Sequence, residues 1–230
     1  VYDLDDAVLH AGEGRRFEAM VRRADLVLAG NEFLAGEVLP TVVDTERYRP
    51  GPGKDGGPVT IGWSGSASTN RYLSELLARL SGWAPAAAFR ILAVSDERPA
   101  GFFKYSKNFE FVPWSREREV ELLQSFDVGL MPLDDTPWSR GKCGLKAILS
   151  QATGAPVVCS DVGVNGEVVE NGATGYVVRS DEEWTARLAA LVEDSALRRR
   201  MGEAGRRRVE ERYSVRAVLP RLVAALEGIA

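Results

Sequence analysis

Short apolar runs alternate with longer amphipathic stretches along most of the 230 residues. This alternation is typical of strands joined by helical crossovers, the arrangement that builds a parallel sheet. Each predicted strand is almost entirely apolar, as expected where helices cover both faces of the sheet. We therefore predict a Rossmann-like, doubly wound α/β fold. The predicted strands are 26–29, 59–63, 89–94, 109–112, 128–131, 157–159 and 176–178, and the predicted helices are 15–23, 70–80, 117–125, 145–152, 182–192, 196–211 and 216–227.

A stretch from Arg49 to Pro58 is so rich in Pro and Gly that no regular element can run through it. We place a domain boundary there, with residues 1–50 on one side and 51–230 on the other. The first part is less regular, because only residues 30–37 separate the predicted strand 26–29 from the apolar pair Val38-Leu39. A crossover between parallel strands needs roughly a dozen residues. Either the pair is not a parallel neighbour of the strand, or the chain lacks a segment that its relatives have.

Composition excludes several classes of function. A net charge of -4 gives no basic excess for a nucleic-acid backbone, and the arginines of helix 197–211 are predicted to pair with glutamates of the same helix. Cys143, Cys159 and the single His10 form neither a disulfide framework nor a zinc motif, which favours a reducing, cytoplasmic setting. No apolar run approaches the roughly 20 residues that cross a bilayer, and no leader pattern opens the chain. We expect a soluble protein without a metal.

A glycine-rich loop follows the second predicted strand, at Gly62-Trp63-Ser64-Gly65-Ser66, and leads into a helix. Small residues let a backbone approach a ligand, and a helix N-terminus favours phosphate. The spacing does not fit the three-glycine dinucleotide fingerprint, and the loop lacks the lysine of a nucleotide-hydrolase loop. A tight turn between strand and helix explains the glycines equally well.

The second loop carries a stronger signal. A strand ends at Met131-Pro132-Leu133, a polar stretch follows, and Gly141-Lys142-Cys143-Gly144-Leu145-Lys146 opens a helix. Cations at a helix N-terminus are unfavourable unless an anion lies there, so two lysines within one turn predict an anion site. The alternative is a pair of solvated lysines. Cys143 is either a small packing residue or a thiol activated by the local positive field.

Ordered sequence blocks extend this signal along nearly the whole chain. They resemble the donor-binding half of retaining family-four glycosyltransferases, in the branch with Gly-Lys-Cys-Gly at 141–144. The blocks are 31–35, 42–44, 111–115, 127–133, 141–147, 154–158, 161–167, 171–176 and 201–202.

The resemblance implies a GT-B architecture, in which two Rossmann-like domains face each other and the second binds a nucleoside diphosphate sugar without a metal or other cofactor. Residues 51–230 would be this donor domain, and 1–50 a remnant of the acceptor-side domain and linker. The implied reaction is transfer of a hexose, with retention, to an acceptor that the sequence does not identify; a lipid-linked or glycan acceptor would bring peripheral membrane contact. Lys142, Lys146 and Arg71 would stabilise the leaving group. The implied donor-binding residues are Gly65 and Ser66 at the diphosphate, Pro113 and Trp114 at the base, and Gly141, Cys143, Gly144, Leu145, Gly163, Val164, Asn165 and Glu167 around the distal phosphate and sugar.

The sequence departs from the family at one conspicuous pair. Many members carry two glutamates, with seven residues between them, that contact sugar and ribose, and the matching positions here are Gly141 and Leu149. Lys142 and Lys146 are candidates to replace some of those contacts. The loop is therefore expected to hold the leaving group better than it selects the sugar.

Three other functions remain open from the residues alone. Asp3 and Asp5, with Asp134 and Asp135 as magnesium ligands, resemble the nucleophile loop of haloacid-dehalogenase-type phosphatases. Asp96 or Glu97 would contact a ribose in a dinucleotide-dependent oxidoreductase. The third alternative is a module that binds a nucleotide-sugar without catalysis.

Overall fold

A computed structural model describes residues 1–4, 14–34, 37–53, 56–100 and 108–229. The larger of its two sheets has six strands, all parallel: β4 (Val59–Ser64), β5 (Phe89–Ser95), β6 (Phe109–Pro113), β7 (Val128–Met131), β8 (Val157–Ser160) and β9 (Gly175–Val178). Their spatial order is β6-β5-β4-β7-β8-β9. The predicted Rossmann-like α/β fold is confirmed for this part of the chain.

Helices cover both faces of this sheet. The helices that follow β4 in the chain are α2 (Asn70–Arg79), α3 (Glu119–Gln124), α4 (Pro137–Arg140), α5 (Leu145–Ala152), α6 (Asn165–Val168), α7 (Asp181–Glu193), α8 (Ser195–Arg212) and α9 (Val215–Glu227). A 3₁₀ turn at Ala67–Thr69 precedes α2. Two of these helices, α4 and α6, are single turns that the sequence pattern did not predict.

Two apolar clusters form the core, one on each face of the sheet. On one face, Trp63 of β4 packs with α2 and α7 through residues such as Leu76 and Leu188. On the other, Cys159 of β8 packs with α3, α5 and α8 through residues such as Ile148 and Val209. Alternate residues of each strand therefore point to opposite clusters, as a sheet covered on both faces requires.

A smaller parallel sheet precedes the large one, with strands β1 (Tyr2–Leu4), β2 (Val27–Ala29) and β3 (Glu37–Val38), and with helix α1 at Gly14–Val21. Leu28 pairs with Glu37 and Ala29 with Val38. The first of the two alternatives, that the apolar pair at 38–39 is not a parallel neighbour of the strand, is therefore wrong. The second, that the chain lacks a segment, stays a prediction. The connection includes a 3₁₀ turn at Glu32–Leu34, and the two strands overlap over only two residue pairs.

The arginine-rich helix α8 also differs from the prediction. Arg206 does pair with Glu210 one turn later, as predicted. Its guanidinium, however, also donates to the carbonyl oxygens of Thr45 and Ala152, and Arg208 donates to those of Glu167 and Val168. These two arginines join loops to the core and do not lie on a purely solvated face, because a guanidinium can satisfy several carbonyl groups at once.

Candidate functional site

The direction in which successive strands are added reverses between β4 and β7. In open α/β sheets, ligands bind outside the carboxyl ends of the strands at such a reversal. β4 ends at Ser64 and β7 at Met131, and the two strands are paired neighbours. The structure thus brings both predicted phosphate-binding loops to a single crevice.

The backbone amides of the first loop are already bonded within the chain. The N–H of Gly65 donates to the carbonyl of Val94, and that of Ser66 to Oγ1 of Thr69. A Cβ on Gly65 would lie 2.1 Å from the Trp63 ring, so packing alone requires a glycine here. Packing against Trp63 therefore explains this glycine without a ligand. At Ser66 the hydroxyl, which lies 2.9 Å from that of Ser68, is a better candidate for contact with a phosphate than the amide.

Asp96 continues this arrangement along the carboxyl edge of the sheet. Its Oδ1 accepts the N–H of Ala67 at 2.6 Å, and this hydrogen bond lowers the pKa of the carboxyl. The preceding residue, Ser95, accepts the N–H of Trp114 through its carbonyl at 2.9 Å. Hydrogen bonds thus hold the glycine-rich loop, Asp96 and Trp114 side by side at the ends of β4, β5 and β6.

The indole of Trp114 is exposed but fixed. Trp114 is 45% exposed, and its Nε1 donates a hydrogen bond to Oε1 of Glu119 at 3.1 Å. The other oxygen of Glu119 accepts the hydroxyl of Tyr48 at 2.6 Å. Burial and this bond to Glu119 raise the pKa of Tyr48 to about 12. An exposed aromatic face held at its edge is suited to stacking with a base.

The second loop holds its two lysines against aromatic rings. Nζ of Lys142 lies 4.4 Å from the centroid of the Trp138 ring, and Nζ of Lys146 lies 5.9 Å from that of Trp63. Lys142 and Lys146 are both partly exposed, so they are not fully solvated, and the anion site at this loop stays a prediction. Cation–π contacts offset part of the unfavourable position of these charges at the start of α5.

Gly144 caps helix α5 in a left-handed conformation, with φ of +74°. A Cβ here would lie 2.9 Å from Cγ2 of Val168. Glycine is required for both reasons, the dihedral and the close contact with α6. Because the first N–H groups of an α-helix lack acceptors within the helix, this cap sets where α5 presents them.

Arg71 of α2 is bound to one residue of the second loop, Asp134. Its guanidinium lies 3.0 Å from Asp134 and donates to the hydroxyl of Tyr72. That hydroxyl is 2.9 Å from Oγ of the buried Ser139, which in turn donates to Asp134. A closed network therefore joins α2 to α4.

Residues after β8 line a cavity beside the second loop. Gly163, Val164 and Glu167 line a cavity of about 300 Å³ together with Arg140 and residues 31–33. Asn165 is buried and donates to the carbonyl of Ser160, so its side chain holds the end of β8 rather than facing the cavity. Cys143 is also buried, which favours its packing role over that of a reactive thiol.

Both positions that match the family's glutamate pair are buried in this chain. Gly141 is buried, and Leu149 is 8% exposed and belongs to the core cluster that includes Ile148. Leu149 therefore replaces a polar contact with core packing.

The two carboxylates that would be magnesium ligands in the phosphatase alternative are paired with arginines. Asp134 pairs with Arg71 and Asp135 with Arg140, while Asp3 lies on β1 of the smaller sheet. Asp5 and His10 lie outside the described residues. Within the described ranges, no group of three or more His, Cys, Asp or Glu side chains could hold a metal ion. No helix in those ranges is long and apolar enough to span a membrane.

The sequence alone gave Asn31 no role, and it gave Asp96 and Asp134 roles only in the rival functions. Asn31, Asp96 and Asp134 each follow the end of a strand directly or after a short turn. Polar residues at the carboxyl ends of parallel strands are positioned at the ligand edge, and that placement was the available signal.

Comparison with known proteins places the site in a family context. The family described as Glycosyl transferases group 1 matches residues 97–208. The D-inositol 3-phosphate glycosyltransferase of Nocardia farcinica is 31% identical over 196 residues, which cover 72% of this chain and 42% of that protein. The chain thus spans about two fifths of the length of this curated relative.

Solved structures share the fold. Sucrose-phosphate synthase from Thermosynechococcus elongatus superposes with a TM-score of 0.77 at 18% identity, covering 94% of this chain and 62% of that one. Anabaena HepE, solved in complex with UDP and glucose, also gives 0.77, at 16% identity, covering 99% of this chain and 71% of that one. At these identities the likeness concerns the fold.

Proposed function

Because the chain belongs to the group 1 glycosyl transferases, which have the GT-B fold, we propose that it binds a nucleoside diphosphate sugar in the crevice between β4 and β7 and transfers the hexose, with retention, to an acceptor. The observation that carries the proposal is the meeting of the two phosphate-binding loops at the reversal of strand order. The donor site and its chemistry are assigned to residues 51–230, and the domain boundary near residue 50 stays a prediction.

The diphosphate lies between two sources of positive charge in this proposal. Arg71 faces it from the start of α2, and Lys142 and Lys146 from the start of α5. Fixed positive groups stabilise the negative charge that develops on a leaving diphosphate. The C1–oxygen bond to the diphosphate breaks, a bond from C1 to the acceptor hydroxyl forms, and the hydroxyl proton passes to the departing phosphate.

The remaining assignments follow the order of groups along the sheet edge. Pro113 and Trp114 border the base, Ser66 contacts the diphosphate through its hydroxyl beside Gly65, and Gly141, Cys143, Gly144 and Leu145 surround the distal phosphate. Gly163, Val164 and Glu167 line the cavity for the sugar, with Asn165 supporting it. No metal or other cofactor is assigned. A cytoplasmic location, with membrane contact only through the acceptor, fits this donor.

A second candidate, donor binding without transfer, is favoured by the absence of the glutamate pair at Gly141 and Leu149. Loss of a polar contact to the sugar would lower selectivity and turnover more than binding to the diphosphate. The two candidates share the donor site and differ in chemistry.

Thermal-shift screening tests the shared part, with UDP, GDP, ADP and their sugars as ligands. We expect at least one diphosphate and its sugar to raise the melting temperature, because a ligand that binds only the folded state stabilises it. If none does, the donor site is refuted. Proton NMR of the stabilising donor, with water in place of the acceptor, separates the candidates: initial formation of the free sugar with the donor's own anomeric configuration supports transfer with retention, and an intact donor supports binding alone.

A further inference from the structure

Asn31 lies in the first part of the chain, two residues after β2, yet its side chain contacts the phosphate loop. Nδ2 lies 3.2 Å from the carbonyl oxygen of Gly141, 3.4 Å from that of Lys142 and 3.6 Å from Sγ of Cys143. Its Oδ1 accepts the N–H of Leu34 at 3.2 Å, which fixes the orientation of the carboxamide. The residue is only 2% exposed.

These contacts determine how two peptide units of the loop are oriented. The unit between Gly141 and Lys142 is held on both sides, since its carbonyl meets Asn31 and its N–H donates to the carbonyl of Ser139. The next unit directs the carbonyl of Lys142 toward Asn31. Because C=O and N–H point in opposite directions across a trans peptide, the N–H of Cys143 points away from Asn31.

We propose that Asn31 is a positioning residue for the distal phosphate of the donor. It holds the loop so that the amide of Cys143 and the first turn of α5 present their N–H groups together. This inference rests on the proposed function, because it concerns the same phosphate. It adds that a residue outside the predicted donor domain sets the geometry of that domain's phosphate loop.

The amide of Asn31 is suited to this role and a carboxylate is not. Two carbonyl oxygens and a sulfur face Nδ2, and only an NH₂ group can donate to more than one of them. Replacement by Ala removes both donors from a buried position. Replacement by Asp puts acceptor oxygens against acceptors, so it should disturb the loop more than Ala does.

Calorimetric titration tests the role, at a temperature where every variant is fully folded. The ligands are the nucleoside diphosphate that binds the wild-type chain most tightly among UDP, GDP and ADP, and the matching monophosphate, measured by competition. We expect Asn31→Ala to weaken the affinity for the diphosphate roughly tenfold and that for the monophosphate less than twofold, since only the diphosphate has the distal phosphate. Asn31→Asp should weaken the affinity for the diphosphate further.

Gln151→Ala is the matched control. Gln151 is another fully buried carboxamide, and its Nε2 lies near the carbonyl of Val168 and Oγ1 of Thr174, away from residues 141–143. It should lower the melting temperature and leave both affinities unchanged. If Asn31→Ala does not fold, Asn31→Ser, which keeps one donor, should give a smaller loss confined to the diphosphate.

Each result is decisive. Equal losses for monophosphate and diphosphate, or no loss in the Asn31 variants while wild type binds, would overturn the positioning role alone. No binding of any diphosphate to wild type would overturn the proposed function and this inference with it.

Discussion

The carboxylate of Asp134 lies 3.0 Å from the guanidinium of Arg71, and this contact joins the helix after β4 to the loop after β7. The same carboxylate accepts the hydroxyl of Ser139, which is fully buried. Asp134 thereby fixes both the guanidinium of Arg71 at the crevice and the buried hydroxyl of Ser139.

Replacing Asp134 by Ala should lower the free energy of unfolding by about 1–3 kcal/mol, because buried Ser139 loses an acceptor. Urea denaturation measures the loss. Asp135→Ala is the control: its carboxylate pairs with Arg140 across exposed side chains, 58% and 52% accessible. An exposed pair contributes less than about 1 kcal/mol. Equal losses in the two variants would contradict the importance of the network.

Gly144→Ala should destabilise the fold through both its positive φ and its contact with Val168. The dihedral alone costs about 1 kcal/mol, and the contact adds to it. Gly172→Ala separates the two effects, since Gly172 has φ of +81° and nothing within 4 Å of an added Cβ. Urea denaturation should show a larger loss for Gly144→Ala, and a loss no larger than that of Gly172→Ala would show that α6 simply moves aside.

The raised pKa of Tyr48 predicts that the free energy of unfolding depends on pH in alkaline solution. Its pKa is raised from the ordinary value of 10.0 to about 12 by burial and by the bond to Glu119. The unfolded chain therefore loses this proton first, and the contribution of Tyr48, complete below about pH 10, is lost as pH rises toward 12. The difference in free energy of unfolding between wild type and Tyr48→Phe should shrink over that range. A difference independent of pH would contradict the shift.

Trp114→Ala should weaken the affinity for a nucleoside diphosphate but not that for pyrophosphate, because the exposed indole can stack only with a base. Stacking of about 1–3 kcal/mol corresponds to roughly a five- to hundredfold loss of affinity. Calorimetric titration gives both values. The melting temperature should change little, and an equal loss for pyrophosphate would place Trp114 away from the base.

Much of the fold was predictable, since the strands of the large sheet are apolar runs whose pattern is fixed by burial on both faces. Val128–Met131 was predicted without error. The single-turn helices Pro137–Arg140 and Asn165–Val168 are too short to show a helical period. The pairing of β2 with β3 covers only two residue pairs, and apolar patterning does not encode it.

The site was predictable only in outline. The two loops carry local signals, glycines and lysines at a strand-to-helix junction. The bonds that shape them are long-range: Ala67 is held by Asp96, and Gly141 by Asn31, 110 residues apart in the chain. Such pairs are set by topology, so the sequence of either loop alone does not reveal them.

The central claim is that Lys142 and Lys146 hold a donor diphosphate at the start of α5. The most direct test is calorimetric titration of wild type and the Lys142→Met, Lys146→Met double variant with the nucleoside diphosphate that binds wild type best. We predict an affinity at least tenfold weaker in the double variant, because two charge-assisted contacts are lost. Unchanged affinity in a folded double variant would contradict the claim.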